Sequence, residues 1–107
     1  MELKQYHIAI VNLDPTLGSE IKKTRPCVII SPDVMNKYLN TIVIAPITKA
    51  QKYYPTRVEV KNKNATGQIA LDQIRTIDRT RIIDVFNCIS EKEILKVKEI
   101  IKETYVD

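Results

Sequence analysis

The side chains of this 107-residue sequence that could carry catalysis do not stand in any ordinary catalytic constellation. A single histidine, His7, leaves no pair for an acid–base relay, and neither HExxH nor CxxC occurs. The only glycines, Gly18 and Gly67, are far apart, so there is no glycine-rich loop to cradle a phosphate. Cys27 and Cys88 lie inside apolar runs (RPCVIIS and VFNCIS) without metal-ligand spacing, and read as free, buried, structural thiols. No metal and no cofactor is expected. Any enzyme built from this chain must work with Arg, Thr, Glu, Asp or backbone groups. One segment stands out, running from Asn12 through Asp14-Pro15-Thr16-Leu17-Gly18-Ser19-Glu20 and Ile21-Lys22-Lys23-Thr24 into Arg25-Pro26. A long polar connection of this kind is often functional. Pro26 biases Arg25 toward extended geometry and so holds its guanidinium at the start of a strand. From the residues alone, the plainer account is that Arg25 opens that strand and pairs with Glu20 or Asp14.

The elements that must position these groups are mostly short apolar runs between turn signals. Residues 6–13, 26–31 and 41–47 read as strands, and Pro46 predicts that the third ends, bulges or lies at an edge there. Residues 56–61 (TRVEVK) alternate strictly, with Val58 and Val60 on one face and Arg57, Glu59 and Lys61 on the other, a half-exposed antiparallel strand. Asn62 to Gly67 is expected to turn the chain, residues 68–74 to return it, and 82–89 to add a last apolar run. Residues 90–105 switch to a helical period: Ser90 and Glu93 form a capping box, and Ile94, Val97, Ile101 and Tyr105 make one stripe flanked by Ile100. Many short strands and one terminal helix predict a small, strongly bent antiparallel sheet or barrel.

Length allows one domain, 1–107, and a composition of 44% hydrophobic and 28% charged residues argues against disorder. No apolar run suffices for a membrane span, and the N-terminus MELKQYHIAIVNLDP lacks the features of a secretory signal, so a cytoplasmic protein without membrane partners is expected. The net charge of +4 is unevenly spread: Lys22 to Arg81 holds twelve Lys/Arg against four Asp/Glu, while residues 90–104 carry four of each sign. A basic middle suits a polyanionic partner, although a mildly basic soluble surface accounts for charge alone.

The run LDPTLGSE-x4-RPCVIIS, followed by IVIAPIT, YPTRVEV and ALDQIRTIDRTRI, resembles the MazF/PemK family of toxin endoribonucleases, in order and over nearly the whole chain. The resemblance implies an SH3-like antiparallel β-barrel with a C-terminal helix, assembled as a homodimer. It implies cleavage of single-stranded RNA, often mRNA, without a metal, leaving 2′,3′-cyclic phosphate and 5′-hydroxyl ends. It also implies a cognate antitoxin whose acidic, partly disordered tail blocks the RNA groove.

Carried over residue by residue, the resemblance makes Arg25 the arginine of the RP motif, Thr48 the threonine closing the third strand and Glu20 the glutamate after the Gly-Ser turn, all three catalytic. RNA contacts fall to Leu17, Ser19, Lys22 and Lys23 in one loop, to Lys49, Gln51 and Thr56 in the next, and to the acid–amide pair Asp72-Gln73. A guanidinium can bind two phosphate oxygens of the charged transition state, and a threonine hydroxyl can donate to the same phosphate or to the leaving oxygen. The general base is open between Glu20 and Asp72, since a carboxylate near pKa 4 is a mediocre base at pH 7 unless burial raises it.

The sequence also departs from the family. Tyr6-His7-Ile8-Ala9 replaces an opening Gly-Asp-aromatic pattern, and Ile21-Lys22-Lys23 replaces a glycine-rich loop. Ser19 and Ala70 stand where other members have histidine and arginine. These changes touch base preference and proton transfer, and leave Arg25 and Thr48 as they are. The alternatives are a non-catalytic toxin on the same barrel that binds a protein target, as gyrase poisons do, or a member that only binds RNA or its antitoxin. Tyr53 and Tyr54 read as turn-packing residues, with stacking on RNA bases as the second option.

Overall fold

The computed structural model describes residues 2–13, 24–49 and 54–106. Among the described residues, seven strands and two α-helices follow in the order β1 (His7–Asn12), β2 (Thr24–Ile29), α1 (Asp33–Tyr38), β3 (Thr41–Thr48), β4 (Arg57–Asn62), β5 (Ala65–Ala70), β6 (Arg75–Asp78), β7 (Ile82–Cys88) and α2 (Glu91–Ile101). All pairings are antiparallel, with neighbours in the order β4-β5-β3-β2-β1-β7 and β6 on the flank of β3. The expected architecture is present: a mainly β protein with a curled sheet and a C-terminal helix.

The runs CVII and IVIA are continuously apolar because both faces of the central strands are covered. Ile8, Val28, Ala45, Ile47, Val58, Val60 and Ile69 enter one core, which α2 closes with Val97 and the half-buried Ile94, Ile100 and Ile101. Their chain neighbours Ala9, Cys27, Ile29 and Ile44 point the other way, into a second core with Leu3, Val11, Ile42, Ile77 and Ile82. This second core draws on β1, β2, β3, β6 and β7. Because β6 flanks β3 while β7 flanks β1, and the two are joined by a 3-10 turn at Arg79–Arg81, the sheet curls around it as a half-barrel.

Several expected boundaries move. The β4–β5 hairpin turns at residues 63–64, closed by the Asn62–Ala65 pair, so Gly67 lies within β5 and not in a turn. β5 stops at Ala70, a 3-10 turn at Leu71–Gln73 follows, and the chain returns as β6. Pro46 does not end β3. It falls where β3 changes partner on one flank, between the pairs with β6 (Thr41 to Ile44) and those with β5 (Ile47 and Thr48), so a residue without an N–H is tolerated.

Helix α1 was not signalled by periodicity, since its six residues bury only Asn36. The Asn36 amide donates to the carbonyls of Leu3 and Ser31 and accepts from the Ser31 hydroxyl, while Arg79 donates to the carbonyls of Asn36 and Leu39 at 2.9 Å each. The terminal helix has its capping box, with Ser90 and Glu93 each bonding the other's backbone N–H, but ends at Ile101 and continues as one π turn to Val106. From that turn the Tyr105 hydroxyl donates to the Leu71 carbonyl.

Candidate active site

Two neighbouring strands bring the main candidates together. β2 and β3 pair Cys27 with Pro46, Val28 with Ala45 and Ile29 with Ile44. The same register carried two residues on sets Arg25 opposite Thr48, on one face, since alternate residues of a strand share a side. Arg25 is exposed and paired with Val11 on its other flank. Inward from it on the same face lies Cys27, whose thiol burial pushes up to about 12, against the opposing pull of the Arg25 and Arg75 guanidinium charges. The thiol is therefore neutral and inert, as expected of a structural cysteine. Those two fields converge because Arg75, exposed opposite Ile44 on β6, stands toward the same part of the sheet.

Thr48 is the last residue of β3 and pairs with Gln68 of β5. The Arg57 Nη1 donates to its hydroxyl oxygen at 3.3 Å. The same guanidinium clasps Asp72 with two further bonds, Nε to Oδ1 at 3.2 Å and Nη2 to Oδ2 at 3.4 Å. Asp72 Oδ1 also accepts from the Thr56 hydroxyl at 3.0 Å, and the Tyr54 ring centre lies 4.8 Å from the Arg57 Cζ. The Arg57 side chain is 9% exposed and that of Asp72 36%, so the arginine is the enclosed member of the pair. Ala70, directly across from Arg57 on β5, leaves room for the guanidinium to lie over the sheet.

These contacts decide the state of Asp72. Donation from Arg57 holds its carboxyl below the usual carboxylate range, Thr56 adds to this, and slight burial opposes it. Such a group is a weaker base at neutral pH than an unperturbed aspartate, so of the two expected bases Asp72 is disfavoured.

Thr48 and Asp72 are thus joined through Arg57, Thr56 bonds Asp72 directly, and Lys49 and Gln73 are exposed. Leu17, Ser19, Glu20, Lys22, Lys23, Gln51 and Tyr53 lie outside the described residues. Cys88 is half-buried, where a buried thiol was expected. His7 bonds through Nδ1 to the Phe86 carbonyl between β1 and β7, a packing position. Among the described residues no three His, Cys, Asp or Glu side chains gather as a metal site. The residue that sequence reasoning missed is Arg57. Its signal was the strict alternation of β4, which put it opposite Val58 and Val60, on a face that also carries Thr48 and Gln68.

The fold and these side chains define a small half-barrel with an arginine and a threonine at neighbouring ends of β2 and β3. Over residues 4–105 the chain matches the family described as PemK-like, MazF-like toxin of type II toxin–antitoxin system, and it belongs to that family. It is 34% identical over 101 residues to endoribonuclease MazF of Staphylococcus epidermidis, covering 89% of this chain and 84% of that protein. Its fold is similar to that of MazF in the MazE–MazF crystal structure from Deinococcus radiodurans, with TM-score 0.84, 22% identity and coverage of 96% and 95% of the two chains. It is also similar to a mycobacterial endoribonuclease solved with its cognate antitoxin, with TM-score 0.80, 17% identity and coverage of 94% and 91%.

Proposed function

We propose that this chain, as one toxin domain spanning residues 1–107, is a sequence-selective endoribonuclease that cleaves single-stranded RNA by attack of its own 2′-hydroxyl. Membership of the toxin family and the 34% identity to a protein named as an endoribonuclease support the activity. The observation that supports the site is the β2–β3 register, Cys27 opposite Pro46, which continued by two residues brings Arg25 opposite Thr48. In the reaction the 2′-oxygen bonds to phosphorus while its proton passes to a base. The bond from phosphorus to the 5′-oxygen then breaks, leaving a 2′,3′-cyclic phosphate and, once that oxygen takes up a proton, a 5′-hydroxyl. Negative charge grows on the non-bridging oxygens. Arg25, always charged, binds them, a contribution commonly worth about two to three decades in rate. Thr48 donates to the same phosphate or to the leaving oxygen, and the scheme needs no metal. With Asp72 held as a low-pKa partner of Arg57, Glu20 is the proposed base.

The RNA strand would contact Leu17, Ser19, Lys22, Lys23, Lys49, Gln51 and Thr56, with Asp72-Gln73 beside them. The natural state proposed is a cytoplasmic homodimer held in check by a cognate antitoxin, as the mycobacterial relative is solved with one. Exposed apolar side chains such as Val34, Tyr38, Ile83 and Leu95 are available for these protein contacts. No helix among the described residues is long and apolar enough to cross a membrane.

The test is incubation of the purified protein with long single-stranded RNA in EDTA, beside Arg25→Ala, with mapping of new 5′ ends. Discrete cuts bearing 5′-hydroxyls, reduced at least about a hundredfold in the variant, are expected. Absence of cuts from folded wild-type protein over many sequences would overturn the reading in favour of binding without catalysis.

A further inference from the structure

We infer that Arg57 is a positioning residue for Thr48, anchored by Asp72; the inference rests on the nuclease reading. A guanidinium carries only donors, so in its 3.3 Å contact Thr48 Oγ1 is the acceptor. That bond fixes where the hydroxyl oxygen sits. In the strand order β4-β5-β3-β2, Arg57 reaches β3 from the β5 flank, while Arg25 belongs to β2 on the other flank. A phosphate held by Arg25 would meet a threonine oxygen whose place is already set.

Arg57 can do this because it is fixed from three directions. Asp72 takes both remaining arms of the fork, Thr56 steadies that carboxylate, and the Tyr54 ring lies against the guanidinium face. Asp72 is then neither a base nor chiefly a reader of RNA but the anchor that keeps the planar fork aimed. Lysine, a point charge on a flexible stem, cannot reproduce three bonds in fixed directions.

The experiment is a double-mutant cycle on single-turnover RNA cleavage, with wild type, Arg57→Met, Thr48→Ala and the double variant, alongside Arg57→Lys. Misplacing a reacting group costs on the order of a hundredfold, so Arg57→Met is expected to lower the cleavage rate by about that factor while the KM for RNA stays within about twofold. In the Thr48→Ala background the same change should cost no more than about threefold, because the group being positioned is gone. Arg57→Lys should not restore the rate. An equal loss in both backgrounds, a change in KM alone, or full rescue by lysine would overturn the inference.

A second measurement separates this inference from the nuclease reading. The Thr48 side-chain rotamer, followed by methyl NMR in RNA-free protein, should be single in wild type and averaged in Arg57→Met. Asp72→Asn, which keeps the shape of the anchor, should give the same averaging and stands in if Arg57→Met does not fold. A rotamer unchanged in both would sink the positioning role. If wild type cuts no RNA the nuclease reading falls, and the rotamer alone decides whether Arg57 positions Thr48.

Discussion

A carboxylate serves as a base at pH 7 in proportion to how far its pKa is lifted, and Asp72 is moved the other way by the donors of Arg57. The same shift has a consequence for stability. A carboxyl whose folded pKa lies below its unfolded value of about 4 stabilises the fold above that value, and the contribution is lost as pH falls through the folded pKa. Thermal melts of wild type and Asp72→Asn should therefore differ near neutrality and converge in acid, once pH has fallen below the folded pKa. The gap should be no more than about 1 kcal/mol, since the carboxylate is partly solvated and screened. A gap constant over the whole range would show that the asparagine disturbs packing and not a charge pair. None of this was legible in the sequence. Asp72 and Glu20 stood as equals there, because the partner that separates them comes from β4, fifteen residues upstream of Asp72. Arg25 and Thr48 stood out through their motifs, but their alignment depends on the β2–β3 register, which no local pattern states.

Elements hold Thr48 by its backbone as well as by its side chain. Gly67 passes beside it in β5 with φ +154°, and a Cβ built there would lie 2.3 Å from the Thr48 carbonyl oxygen. Gly67→Ala must therefore push β5 from β3 at the end of the ladder that carries Thr48. The expected loss is about 2 kcal/mol or more, with cleavage reduced even at temperatures where the variant remains folded, read by melts and RNA assay together. Ser90→Ala tests the opposite case. It removes one half of the capping box and should cost about 1 kcal/mol while leaving cleavage per folded molecule unchanged, because α2 packs on the face of the sheet opposite Arg25. The capping box was readable because its residues are local, whereas Gly67 was misread. A glycine before Gln68 looked like part of a turn, yet its role is to allow a close strand approach that only the pairing of β5 with β3 creates. Helix α1 and strand β6 escaped for a related reason: six and four residues are too short to display a period, and Asn36 is fixed by partners distant in sequence.

At the scale of the molecule, the sheet separates two surfaces of different electrical character. The face opposite α2 carries Arg25 and Arg75, from the part of the chain with twelve basic and four acidic residues, while α2 belongs to the balanced tail. If RNA lies on the arginine face, its affinity should depend on salt through those residues and not through the helix. Each phosphate contact on a single strand contributes a slope of about −0.7 in log K against log salt. Binding of an RNA made uncleavable by 2′-deoxy substitution should then lose about 0.7 of slope in Arg25→Ala and a similar amount in Arg75→Ala. Lys98→Ala, in the last turn of α2 and exposed, should leave the slope unchanged. A fall of equal size in all three variants would mean that net charge draws the RNA without a defined face, and the pairing of Arg25 with Thr48 would lose its claim to hold the strand for cleavage.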